Sequence, residues 1–182
     1  TAYRRQRQMC IRDSYFRLDG NYLTNVNGLS SLQTVGSHFY LNNNKLTDVN
    51  GLSSLTSVEQ YFYLQTNQLA NIDGLSALTR VGNNFNLEGN QLTNLNGLSN
   101  LTSLGGYLAL RGNPNLTNIS GVNNAQSSNG KLLYINPGQY TTKASKGSNF
   151  CSTTWDLRDP TGNIADDMIE VCDINSTDLT DE

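Results

Sequence analysis

Charge is scarce in this chain of 182 residues: 12 Lys and Arg stand against 15 Asp and Glu, for a net charge of −3. Beyond the first dozen residues no basic cluster exists to neutralise phosphates, which argues against a nucleic-acid partner. Long apolar runs are missing too, and no stretch approaches the roughly 20 apolar residues of a membrane-spanning helix. The only histidine, His38, has no nucleophile and acid partner in any recurring motif, so a catalytic triad has no support. Asp19 and Glu88 fall three repeat lengths apart, too far for paired acid-base work on one bond. Aspartates crowd towards the C-terminus (Asp156, Asp159, Asp166, Asp167 and Asp173) without the Asp-x-Asp-x-Asp-Gly spacing of a calcium loop. The expectation is a chain without catalysis, cofactor or bound metal.

Cysteine is limited to Cys10, Cys151 and Cys172, with no CxxC spacing to make a metal site. Cys151 and Cys172 flank a region unlike the rest of the chain, and an oxidised pair in an extracytoplasmic compartment is the favoured expectation. Two buried free thiols are the alternative. Asn, Gly, Ser and Thr are abundant, a polar uncharged composition suited to a secreted or cell-surface module, with the periplasm also open.

What the chain does contain is a phrase written repeatedly. Leu18, Leu41, Leu64, Leu87 and Leu110 are each twenty-three residues apart, and so are Asn21, Asn44, Asn67, Asn90 and Asn113. Apolar residues then follow at steps of three, as in Leu92, Leu95, Leu98, Leu101 and Leu104. On an α-helix such steps drift by about 60° each and would circle the axis instead of marking one face. Gly28, Gly51, Gly74 and Gly97, set among asparagines, also disfavour a helix. The pattern fits a coil that turns a corner at each apolar step. The "F-x-L" phrase alternates inward and outward residues, so each coil offers one short strand. A lone coil would not stand: its inward side chains contribute about 1.5 to 3 kcal/mol each, against roughly 1 to 2 kcal/mol of backbone ordering for every residue. Stacking of coils has to supply the difference.

The consensus L-x-L-x-x-N-x-L-T-x-(V/I/L)-x-G-L-x-x-L-x-x-(V/L) resembles bacterial leucine-rich repeats, and the residue added before the strand makes it similar to receptor L-domains. The resemblance covers residues 15 to about 122 and a divergent last strand at "KLLYIN". It implies one parallel sheet of about five to six short strands, mostly coil and turn on the other sides, and a C-terminal cap. It also implies that Asn21, Asn44, Asn67, Asn90 and Asn113 turn inward to hydrogen-bond the backbone of the bend. It further implies that the strand face binds a ligand, protein or carbohydrate.

Alternation along each strand gives the outward residues of that face. From coil to coil they are Tyr15, Arg17 and Asp19; His38, Tyr40 and Asn42; Tyr61, Tyr63 and Gln65; Asn84, Asn86 and Glu88; Tyr107, Ala109 and Arg111; then Leu132, Tyr134 and Asn136. Tyrosine supplies contact area with few rotors and asparagine adapts as donor or acceptor, so this face is the expected ligand site. Aromatic stacking that merely stabilises an exposed sheet is the competing reading. A second outward row, Thr24, Thr47, Thr93 and Thr117, invites an ice-binding hypothesis. It is broken at Ala70 and lies beside Asn25, Asp48, Asn71, Asn94 and Asn118, which suit turns.

Four segments are expected: 1–14, non-native or disordered and reminiscent of translated vector sequence; 15–136, the solenoid; 137–175, a cap holding Phe150, Trp155 and the cysteine pair; and 176–182, an acidic tail. On that view the chain is a fragment of a longer surface protein. The function expected is recognition or adhesion without catalysis, with a structural spacer or stalk as the alternative.

Overall fold

The computed structural model describes residues 15–127, together with the backbone of three strand segments at 9–11, 132–134 and 156–158. Within it the chain winds as stacked coils, and two parallel sheets run the length of the stack. The first contains β2 (Phe16–Arg17), β4 (Phe39–Tyr40), β6 (Phe62–Tyr63), β8 (Phe85–Asn86), β10 (Leu108–Ala109), β12 (Leu132–Tyr134) and β13 (Asp156–Arg158), each strand beside the next. Its register repeats without slippage, Phe16 opposite Phe39, Phe39 opposite Phe62 and Phe62 opposite Phe85. The second contains β1 (Met9–Ile11), β3 (Leu32–Val35), β5 (Ser57–Val58), β7 (Arg80–Val81), β9 (Ser103–Leu104) and β11 (Gln126–Ser127).

The third coil shows how the residues make the path. Phe62 and Leu64 are fully buried while Tyr63 between them faces out. The chain then turns at Thr66, whose φ is +56°. Gly20, Asn43, Gly89 and Gly112 occupy the same left-handed corner in other coils. After Leu69, the Asn71 side chain accepts the N–H of Asp73 at 3.2 Å and starts a single 3₁₀ turn, Asp73–Leu75. Equivalent bonds run from Asn27 to Asn25, Asn50 to Asp48, Asn96 to Asn94 and Ser120 to Asn118. Leu78 and Val81 close the interior, and the chain returns to Phe85.

Successive coils touch backbone to backbone at the 3₁₀ turns. A Cβ on Gly51, Gly74, Gly97 or Gly121 would fall onto the carbonyl of Val26, Val49, Ile72 or Leu95 one coil below. Glycine is required there because there is no room for a side chain. The interior is a column of leucines with a spine of phenylalanines, Phe16, Phe39, Phe62 and Phe85, whose rings stack at 5.0, 5.2 and 5.0 Å.

Three features depart from the sequence reading. The second sheet replaces what had been expected as coil, and the first sheet has seven strands where five or six were expected. The strands of the second sheet are mostly two residues long, too short for period-two alternation to stand out from leucine steps of three. Two strands also come from outside the span assigned to the solenoid: β1 lies in the segment 1–14 and β13 in the segment 137–175.

Candidate functional site

The first sheet turns its Phe and Leu rows inward and three rows of side chains outward. Behind the face, the asparagines fix the strand ends. Asn67 donates from Nδ2 to the carbonyls of Leu41 and Leu64, both at 3.0 Å, and its Oδ1 accepts the N–H of Leu46 at 3.1 Å. Asn44, Asn90 and Asn113 make the same three bonds in their own coils. Each amide therefore joins two coils through otherwise orphaned carbonyls. Asn21 is exposed, and among the described residues it bonds within its own coil, donating to the carbonyls of Leu18 and Asp19.

On the face itself five aromatic or imidazole rings cluster over the first three coils. His38 lies 4.6 Å from Tyr15 and 4.5 Å from Tyr61, ring centre to ring centre, in one row. Tyr40 and Tyr63 form the next row at 5.4 Å, and Tyr61 stacks on Tyr63 at 5.5 Å with the rings 11° apart. Arg17 places its guanidinium 5.4 Å from the centre of the Tyr40 ring. A shallow depression of about 300 Å³ is lined by Tyr15, Arg17 and Tyr40. Towards the other end the rings give way to Asn84, Asn86 and Ala109, and a depression of about 180 Å³ is lined by Asn86, Glu88, Tyr107, Ala109 and Arg111.

The charges of the described face are closed on one another. Arg17 holds Asp19 with two bonds of 2.9 and 2.8 Å, and this hydrogen bonding keeps the Asp19 carboxyl below its ordinary range. Arg111 reaches down one coil to Glu88 at 2.9 Å. Burial lowers the His38 pKa, which favours the neutral ring at pH 7, and Nδ1 accepts the N–H of Tyr61 at 3.3 Å. Asn84 repeats this bond further along the stack, accepting the N–H of Tyr107 at 3.1 Å. Burial and a 3.4 Å hydrogen bond to the Tyr63 hydroxyl push the Tyr107 hydroxyl well above the ordinary tyrosine range.

The structure thus brings His38, Tyr40, Asn42, Tyr61, Tyr63, Gln65, Asn84, Asn86, Glu88, Tyr107 and Arg111 onto one sheet face. Asn86 and Ala109 are buried on that face instead of exposed, because larger neighbours crowd the two smallest side chains of their row. The backbone of Tyr134 continues the row opposite Ala109. The side chain of Tyr134, Asn136 and the pair Cys151 and Cys172 lie outside the described residues. Sequence reasoning missed Arg17 and Asp19 as a bonded pair, although an Arg-x-Asp spacing on one strand face carries the signal. Thr24, Thr47, Thr93 and Thr117 are exposed, but the asparagines beside them are engaged in the turns. Among the described residues no group of three or more His, Cys, Asp or Glu converges as a metal site, and no helix is long and apolar enough to cross a membrane.

Stacked coils of nearly constant length, a buried asparagine ladder and a parallel strand face define a leucine-rich-repeat solenoid. The family model described as BspA type leucine rich repeat region matches residues 10–134 in six copies, and the chain belongs to that family of bacterial leucine-rich repeats. No curated protein and no solved structure matches the chain. Repeats of this type are typically surface adhesion and protein-interaction modules built on a non-catalytic scaffold.

Proposed function

We propose that the chain is a non-catalytic recognition module that works outside the cytoplasm, at the cell surface or in secreted form, and captures a protein or glycan on its Tyr- and Asn-rich strand face. One observation carries this reading: the aromatic cluster is not required by the scaffold. Coil four has Asn84 and Asn86 where coil three has Tyr61 and Tyr63, yet its ladder bonds are unchanged, with Phe85 N–H to Tyr107 O and Leu87 N–H to Ala109 O both at 2.9 Å. Rings held at such cost in side-chain entropy, and partly exposed, suit contact with a partner. Cys151 and Cys172 joined as a disulfide belong to the same reading, and intact-mass measurement with and without reductant reads that bond directly.

Replacing Tyr61 and Tyr63 together by alanine removes the stacking but no ladder bond. Stability should fall by only about 1 to 2 kcal/mol, while ligand capture by the full chain falls at least about tenfold, as expected for an aromatic hot spot. A structural spacer, whose repeats only set length, would show the same small stability change and no change in any binding.

A further inference from the structure

We infer that the occupant of the strand face is an uncharged glycan, a hydroxyl-rich chain lying across the second and third coils; this rests on the reading of that face as a recognition surface. The argument is first one of charge complementarity. The four formally charged side chains of the described face, Arg17, Asp19, Glu88 and Arg111, are consumed in two ion pairs at its two ends. Between them His38, Tyr40, Asn42, Tyr61, Tyr63 and Gln65 carry no full charge when the imidazole is neutral. A charged partner would have to break an existing pair or desolvate its own charge against neutral groups, both unfavourable. The face is matched to a partner without charge.

The donor and acceptor chemistry narrows the class further. This central patch offers phenol hydroxyls, primary amides and an imidazole, and no exposed aliphatic side chain. The two depressions described on this face, one at either side of the patch, are open and shallow, unlike the deep socket for an apolar anchor residue that typically dominates a protein interface. Ring edges and amides in alternation suit a surface of hydroxyl groups, each of which donates and accepts. Gln65 adds an independent sign. Its Oε1 is buried and has no hydrogen-bond partner among the described residues. A buried acceptor left unpaired is unfavourable, and turning the terminal amide outward to meet a hydroxyl donor relieves it. Turned outward, that oxygen can accept from a hydroxyl of the ligand.

The full chain is tested on an array of neutral glycans (glucan, mannan, xylan and chitin oligosaccharides), sulfated and uronic-acid glycans, and purified extracellular proteins, with calorimetry on whatever binds. The expected result is capture of at least one neutral glycan with an affinity that changes by less than about twofold between roughly 50 and 500 mM salt, since no charge is there to be screened. Gln65→Leu should weaken that capture at least about tenfold while leaving the unfolding midpoint unchanged or higher, because it removes an unpaired polar atom. A residue with only a structural role would not lose binding and gain stability together. Capture confined to anionic glycans, or to a protein, through Tyr61 and Tyr63 overturns the neutral glycan and leaves the recognition face standing. Neutral-glycan binding that survives both Gln65→Leu and the double tyrosine replacement overturns the face itself. No capture of any neutral glycan overturns the proposal.

Discussion

At position 67 one amide satisfies two carbonyls and one N–H that no strand partner can reach. Leucine there would fill the space and leave all three groups buried and unpaired, at about 1 to 3 kcal/mol each. Asn67→Leu is therefore expected to cost more than about 3 kcal/mol, and the same change at the exposed Asn21 no more than about 1 kcal/mol, the usual range of a surface substitution. Urea unfolding of the two variants separates them, and equal losses would contradict the ladder. Thr66 presents the opposite case. A β-branched residue sits at φ +56° in a corner that three other coils give to glycine, and such a conformation costs roughly 1 to 2 kcal/mol. Thr66→Gly should gain about 1 kcal/mol after the greater freedom of the unfolded glycine is subtracted. An unchanged or lower urea midpoint would show that the corner holds threonine without strain.

Among the elements, the 3₁₀ turns matter more than their length suggests, because they set how closely coils approach. Gly74 is buried, and a Cβ there would meet the carbonyl of Val49, whereas Gly28 is exposed and a Cβ there would meet no atom of the described residues. Gly74→Ala has to push two coils apart and should lower stability by at least about 3 kcal/mol, in the range of severe overpacking. Gly28→Ala should stay within about 0.5 kcal/mol of the parent. Thermal melts of the pair measure the difference, and similar midpoints would mean that the coils are not in backbone contact. Both glycines read alike in the sequence, one after Asp73 and one after Asn27, as ordinary turn signals. The turn was legible because asparagine followed two places later by a backbone N–H is a local motif. The steric demand was not, because it comes from the coil below.

For the whole molecule, each coil is held mainly by its two neighbours, so stability is close to a sum of coil and interface terms. Phe62 lies at the middle of the ring spine, 5.2 Å from Phe39 and 5.0 Å from Phe85. Phe62→Ala should cost about 3 to 5 kcal/mol, with the damage local. Hydrogen exchange should accelerate most at 39–41, 62–64 and 85–87 and least at 16–18 and 108–110; a uniform change along the chain would argue for one indivisible core. The same nearest-neighbour build explains how much of the candidate site the sequence disclosed. His38, Tyr40, Tyr61 and Tyr63 could be placed on one face by counting alone, since alternation within a strand and a constant repeat fix direction and row.

The repeat length, the buried leucines, the asparagine positions and the outward rows were written in the sequence, because each follows from local periodicity applied once per coil. Three things came only from the tertiary structure: the second sheet, the backbone contact that makes Gly74 indispensable, and the Tyr107 to Tyr63 hydroxyl bond that spans two coils. The stranded Oε1 of Gln65 belongs with them. All four depend on the rise and twist from one coil to the next, a distance and an angle that no pattern along a single coil encodes.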